Sequence, residues 1–288
     1  MTNILITGAK GQLGNEIKEL SLLYKNFRFY FTDIEELDIS NPKAIDNFVS
    51  KNNIDIIINS AAYTAVDKAE EDEKMASLIN STAVLYLTNT AKKYNIPLIH
   101  ISTDYVFDGN SYLPYIETDE TKPLSVYGKT KLYGEKHALL YNKSLIIRTS
   151  WLYSSFGNNF VKTIIKISEN PEIKVVFDQI GSPTYAKDLA SAILKITEKI
   201  ANNEIVEYGI YHYSNEGVCS WFDFAQMIIK YLNKSTKIIP VRSELFPRPA
   251  HRPNYSVLDK TKIKKNFKIE IPFWLDSLYE CLDKIKKD

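Results

Sequence analysis

Cysteine is nearly absent from this chain of 288 residues: only Cys219 and Cys281 occur, and neither belongs to a CxxC or to a Cys/His group with metal-ligand spacing. A disulfide framework and a zinc site are not expected, and a cytoplasmic protein in a reducing compartment is. The four histidines, His100, His137, His212 and His251, are scattered without ligand spacing and receive no role. An excess of one charge is also missing. The 36 Lys+Arg and 35 Asp+Glu leave a net charge of +1, and the longest like-charge block is the acidic run 70–73, so no nucleic-acid partner is expected. No apolar run approaches the roughly 20 residues of a membrane helix, and the opening MTNILITG lacks the basic and long apolar regions of a signal peptide. Neither export nor a membrane partner is implied. Internal repeats, low-complexity tracts and flexible linkers are lacking too, which points to one body with a cleft.

What is present is an alternation. Short β-branched or aromatic runs at 3–7, 27–31, 55–59, 98–102 and 144–149 show little polar alternation, as in strands covered on both faces. Between them, 13–23, 42–51, 74–94 and 127–140 carry apolar residues at helical spacing. Repeated βα units of this kind predict an α/β fold, a Rossmann-like doubly wound parallel sheet whose ligands sit beyond the carboxyl ends of the strands. After residue 150 the rhythm loosens into polar, Gly- or Pro-containing stretches at 154–159, 178–184 and 246–254. The expected division is a dinucleotide-binding domain over 1–150 and a smaller, mainly substrate-binding C-terminal lobe over 151–288, with some segments returning to the first domain. An amphipathic stretch at 271–287 reads as a closing helix.

Glycine is sparse, 10 in all, yet three stand together in TGAKGQLG. Gly8, Gly11 and Gly14 follow the first strand and open a helix, where glycine permits a tight turn, close approach of a pyrophosphate and close helix packing. The GxxGxxG spacing departs from GxGxxG. Asp33, 19 residues after Gly14, ends the second strand, where a carboxylate can accept from an adenosine ribose. Asp33 favours NAD and Lys10 in the turn favours a 2′-phosphate, so NADPH or NADH is left open. Tyr127 and Lys131 form the only YxxxK pair in the chain, on one face of a helix. A phenol serves as a general acid once its pKa, near 10 when free, is lowered, and Lys131 is expected to lower it. Ser102 and Thr103 close the fourth strand and should meet the pair at the carboxyl edge.

With TGAKGQLG, the segments NSAAYTAVDKAE, STDYVFDG and PLSVYGKTKLYGE resemble the extended short-chain dehydrogenase/reductase superfamily. RTSWLY, GNNFVKT, DQIGSPT and RPNYSVLD, in order over nearly the whole chain, are similar to its dTDP-L-rhamnose-forming branch. The resemblance implies a nicotinamide cofactor, a dTDP-sugar substrate, and reduction of the C4 ketone of dTDP-4-dehydro-L-rhamnose by hydride transfer. It implies a catalytic trio of Thr103, Tyr127 and Lys131, with Tyr127 as proton donor and Lys131 also holding the nicotinamide ribose. Implied cofactor contacts are Gly11, Gln12 and Leu13 in the turn, Asp38 and Ile39 near the adenine, and Ala61, Ala62 and Tyr63 after the third strand. Asp104 and Trp151 would touch the sugar. Related dehydratases carry an acidic pair after the threonine, whereas here Asp104 is followed by Tyr105. A nucleotide-sugar epimerase and a non-catalytic dinucleotide-binding regulatory subunit are the alternatives. Arg248 and Arg252 could clamp a diphosphate. Some members of the family dimerise around magnesium held by glutamates. Lys187 stands about where one such glutamate is sought, so magnesium stays unplaced and the chain is read as a monomer or homodimer.

Overall fold

A computed structural model of the chain describes residues 1–287. Six strands form its central sheet: β1 (Thr2–Thr7), β2 (Phe27–Thr32), β3 (Ile56–Asn59), β4 (Leu98–Thr103), β5 (Ser144–Thr149) and β6 (Gly209–Tyr213). Their order is β6-β5-β4-β3-β1-β2, and every pairing is parallel. The sequence runs foretold the first five strands to within a residue; β6 was missed, because GIYHY is short, holds a glycine and a histidine, and lies in the looser second half.

Two apolar layers cover the sheet. On one face Ile4, Ile6, Ile56 and Ile58 pack with Leu13 and Ile17 of helix Gln12–Leu20, with Leu189 and Ile193 of helix Ala186–Ala201, and with Phe267 of helix Thr261–Phe267. On the other face Leu5 and Ile57 meet Ile45 and Val49 of helix Pro42–Lys51, Leu87 of helix Ala83–Tyr94, and Ala138 of helix Val126–Ala138. Successive strand residues thus point into different cores, which explains why the strands read as continuous apolar runs.

The stretch 74–94 is helical throughout, with a π turn at Leu78–Thr82 joining Glu73–Ser77 to Ala83–Tyr94 without a break. Asn80 of the π turn accepts the Tyr63 backbone N–H at 2.8 Å and donates to Tyr63 O at 3.1 Å, pinning the segment that follows β3. Gly134 permits this approach: a Cβ there would stand 2.2 Å from Asn80 O.

A third core, around Tyr153, Val161, Tyr185, Phe224, Trp274 and Leu278, is built from the chain beyond residue 150. Its elements are helices Phe160–Ile167, Trp221–Tyr231 and Trp274–Lys287, with strand Glu172–Val176 paired to Lys237–Val241. Two-residue strands, Ile180–Gly181 with Cys219–Ser220 and Leu152–Tyr153 with Thr184–Tyr185, tie this part together at the carboxyl edge of the sheet. The closing helix 271–287 is observed from Trp274.

Candidate active site

The glycine turn builds one end of the site. Gly8 has φ 69, left-handed backbone that favours glycine, and a Cβ there would lie 2.6 Å from Ala61 N. A Cβ on Gly14 would lie 2.4 Å from Gly8 O, so the helix can pack on the turn only without one. Gly11 differs: a Cβ would meet only Gly8 O, at 3.2 Å, and would otherwise project into open space. These three glycines supply the turn, the packing and the free backbone face that a pyrophosphate needs. Asp33 braces the turn, its Oδ2 accepting the Lys10 backbone N–H at 2.9 Å.

From this turn a cleft of about 820 Å³ runs along the carboxyl edge. Among its lining residues are Gly8, Gly11, Gln12, Leu13, Gly14, Asp33, Asp38, Ile39, Ala61 and Ala62 at the turn's end, and Thr103, Asp104, Tyr127, Lys131 and Trp151 at the other. Tyr63 is not among them; its backbone is engaged with Asn80. Sequence reasoning missed Ile34 and Leu37, which join Ile39 in an apolar bed beside Asp33, and Trp221. The apolar residues set among acidic ones in the stretch after β2, Ile34, Leu37 and Ile39, were the available signal for the bed.

Ser125 caps the helix that carries Tyr127 and Lys131, accepting the Gly128 N–H at 3.1 Å, and so fixes where the pair faces the cleft. Thr103 Oγ1 donates to Asp104 Oδ1 at 2.9 Å. The other carboxylate oxygen, Oδ2, is buried without a partner, and burial pushes the Asp104 carboxyl up to about 6. Tyr105 meets Tyr127 edge-to-face, ring centroids 5.5 Å apart. Lys131 was expected to lower the Tyr127 phenol, and here the geometry differs. Its ammonium donates to Ile101 O at 2.6 Å, while burial pushes the phenol up to about 12, against the pull of the Thr103 hydroxyl. Burial also pushes Lys131 down to about 8, with Glu135 one helical turn away acting in the opposite sense.

Behind Lys131 lies a buried charge pair that the sequence did not reveal. Arg148 on β5 holds Glu135 through Nε–Oε1 at 2.9 Å and Nη2–Oε2 at 2.7 Å, and the Ser102 hydroxyl donates to Oε1 at 2.5 Å. His212 lies beside it, its Nε2 3.4 Å from Arg148 Nη1 and its Nδ1 3.0 Å from Tyr115 O.

The far wall is aromatic. Trp151 stacks on Trp221 with centroids 3.6 Å apart and planes 8° from parallel. Trp151 has φ 49, a strained backbone for a bulky residue, and a Cβ on Gly181 would lie 2.6 Å from its ring. Packing therefore fixes the indole, on a strained backbone, at the edge of the cleft. The loop over 154–159 is fastened to helix Gln12–Leu20: Ser154 Oγ donates to the buried Glu16 at 2.5 Å, and Asn159 Nδ2 to Gln12 Oε1 at 2.9 Å.

Arg248 and Arg252 do not line the cleft; Arg252 grips Asp67 through Nη1–Oδ1 at 3.1 Å and Nη2–Oδ2 at 2.9 Å. Among the described residues of the single chain no group of three or more His, Cys, Asp or Glu side chains could hold a metal ion, so magnesium stays unplaced. Lys187 is paired with Glu280, and Lys284 with Glu16 and Glu19, so ammonium groups already neutralise the carboxylates there.

A parallel sheet with a glycine turn at one end of its carboxyl edge and a Thr–Tyr–Lys group at the other defines a short-chain dehydrogenase/reductase. The chain belongs to the family described as RmlD substrate binding domain, which it matches over residues 1–287. It is 42% identical over 286 residues to the dTDP-4-dehydrorhamnose reductase of Aggregatibacter actinomycetemcomitans, covering 96% of this chain and 97% of that one. Among solved structures it is similar to a dTDP-4-dehydrorhamnose reductase of Clostridium acetobutylicum, with TM-score 0.93, 42% identity, and coverage of 99% of this chain and 100% of the other. The Bacillus anthracis dTDP-4-dehydrorhamnose reductase in complex with NADP gives TM-score 0.92, 39% identity, and the same coverage.

Proposed function

We propose that this chain reduces the C4 ketone of dTDP-4-dehydro-L-rhamnose to dTDP-L-rhamnose, taking hydride from NADPH or NADH. The observation that carries the reading is that one cleft holds the glycine turn at one end and Thr103, Tyr127 and Lys131 at the other. Gly11, Gln12 and Leu13 would receive the pyrophosphate, Asp33 the adenosine ribose, and Asp38 and Ile39 the adenine, with Ala61 and Ala62 along the dinucleotide. A bound nicotinamide supplies the hydride. Residues 1–150 form the dinucleotide-binding part of this reading and 151–288 mainly the sugar-binding part, although β6 and helix Ala186–Ala201 belong to the sheet layer.

The residues then divide the work. Tyr127 gives its proton to the C4 oxygen. A phenol at about 12 is fully protonated at neutral pH, and a sugar alkoxide is more basic still, so transfer runs toward the sugar. Raised acidity is not required of a donor in this direction; protonation is. Lys131, still mostly charged at pH 7 and bound to Ile101 O, would hold the nicotinamide ribose. Thr103 orients the same oxygen, Asp104 Oδ2 accepts a sugar hydroxyl, and Trp151 covers the deoxy carbon and ring hydrogens. Dehydration would need a second acid beside Asp104, where Tyr105 stands. No helix among the described residues is long and apolar enough to cross a membrane, and the reading is of a cytoplasmic enzyme, monomer or homodimer.

The test is oxidation of NADPH and NADH with the dTDP-4-keto-6-deoxy-L-sugar made in situ. Wild type turns over; Tyr127→Phe loses about 10²–10⁴ in kcat while still binding dinucleotide. Binding of both dinucleotides without oxidation of either would sink the reductase reading and favour an epimerase or a regulatory dinucleotide-binding protein.

A further inference from the structure

Helix Val126–Ala138 carries Tyr127, Lys131 and Glu135 at four-residue spacing, so the three share one stripe and Glu135 lies one turn beyond Lys131. Lys131 and Glu135 are both fully buried. Glu135 has a cation on either side: Lys131 on its own helix, and Arg148 across on β5. The strand register sets Ser102, Arg148 and His212 side by side on β4, β5 and β6. Besides its fork onto Glu135, Arg148 has Nη1 3.5 Å from Glu117 O and 3.4 Å from His212 Nε2, contacts that hold it toward β6.

The other titratable groups packed around Lys131 bring it no anion among the described residues. On β4 its ammonium meets a carbonyl, Ile101 O. His100 on the same strand, its Nδ1 3.0 Å from Asn59 Nδ2, is kept neutral by burial and by the Lys131 charge. The Asp104 carboxyl bears on the Tyr127 phenol, and Glu117, beyond Arg148, accepts the His212 N–H at 3.2 Å. Glu135 is the carboxylate that bears on Lys131. Two buried cations thus depend on one anion. A guanidinium does not give up its proton in a protein, whereas a buried ammonium does. If the anion were lost, Lys131 is the group that would discharge.

We propose that Glu135 is a positioning residue for the reaction: clamped by Arg148 and the Ser102 hydroxyl, it supplies the counter-charge that lets Lys131 remain an ammonium where the nicotinamide ribose would bind. The proposal rests on the reductase reading above. Glu135 does not line the cleft, so it acts through Lys131 alone. With Glu135 in place Lys131 stands at about 8, so its grip on the ribose is present below that pH and is lost above it.

The experiment titrates NADH and NADPH by fluorescence, without sugar, between about pH 5.5 and 9.5. NADH is included because its 2′-hydroxyl, unlike a 2′-phosphate, does not ionise in that range. The chains are wild type, Glu135→Gln, Glu135→Asp, and Glu135→Gln combined with Arg148→Met; sugar turnover is followed on each. Wild type binds about tenfold more weakly above a limb near 8. Glu135→Gln moves that limb about one to two units toward acid. The double variant moves it the same way but less, because the repelling Arg148 charge has gone too, and Glu135→Asp restores most of the wild-type position. At the acid end, where Lys131 is charged in every chain, all four bind alike. A pair that served only the fold would change stability and leave the limb in place. A folded double variant whose limb coincides with wild type therefore overturns the proposal, whether or not the single variant folds. If the limb shifts while neither dinucleotide is oxidised, the role of Glu135 stands and the reductase reading falls. If wild type binds neither dinucleotide, both fall.

Discussion

Arg148 and Arg252 make the same two-pronged grip on a carboxylate at opposite depths of the molecule. Arg148 and Glu135 sit behind the cleft with 2% and 1% of their side chains exposed; Arg252 and Asp67 sit at its rim with 25% and 31% exposed. The hydrogen-bond lengths are nearly equal, so geometry cannot distinguish them. Surroundings do. Removing either partner of the buried pair strands a charge where water cannot reach it, whereas either partner at the rim can be rehydrated. The buried pair has also accumulated supports: the Ser102 hydroxyl on Glu135 and the Phe107 ring 5.0 Å from the Arg148 guanidinium. The rim pair has the Ala250 N–H on Asp67. What differs is the cost of leaving a partner behind, not the strength of the contact when made.

The largest effect belongs to the buried pair. Arg148→Met should destabilise the fold by about 3–5 kcal/mol, read as a loss in urea unfolding, because the buried Glu135 loses both guanidinium hydrogen bonds. Adding Glu135→Gln to that variant should recover part of the loss. A cost near that of the rim pair would show that burial is not the controlling variable.

Asp104 supplies the intermediate case, a buried carboxylate with no cationic partner. Burial holds its folded carboxyl at about 6 against an ordinary value of 3.8. Between those values the folded chain keeps a proton that the unfolded chain has released. Its contribution to stability is therefore fully present below about pH 4 and is lost as pH rises through about 6. The shift of about 2 units corresponds to about 3 kcal/mol at most. Asp104→Asn cannot ionise, so its melting temperature should exceed wild type at pH 7.5 and converge on it near pH 4. An advantage independent of pH would break the link to this carboxyl. Its activity should fall at the same time, since the amide offers the sugar a different donor and acceptor set.

The same contrast explains what was legible in the sequence. The first five strands, the glycine turn and the Tyr127–Lys131 pair are each contained in one element or one strand–helix junction, so period and spacing reveal them. Glu135 and Arg148 sit 13 residues apart on a helix and a strand, with nothing in either local pattern to mark a partner. Asp67 and Arg252 are 185 residues apart, and Arg252 was read as a clamp for the diphosphate because an unpaired arginine in a Pro-rich loop looks available. Trp221 stands at the start of an amphipathic helix and becomes a cleft residue only because the strand pair Ile180–Gly181 with Cys219–Ser220 brings it under Trp151. The π turn at Leu78–Thr82 was invisible for a different reason, since one extra residue per turn leaves helical spacing almost intact.

The smallest effect should come from the rim. Asp67 is held below the ordinary carboxylate range chiefly by its hydrogen bonds from Arg252, so the pair is charged at neutral pH, but both ends retain water. Arg252→Lys keeps the charge and removes the fork. Stability should fall by no more than about 1 kcal/mol, and by less in high salt. The sugar KM decides what else the arginine does. With the guanidinium committed to Asp67 and outside the cleft lining, that KM should move less than about threefold. A rise of tenfold or more with unchanged stability would mean that Arg252 leaves Asp67 for the substrate diphosphate. The rim pair would then be a latch that substrate opens, and its exposure, unlike the burial of Arg148, would be what lets it open.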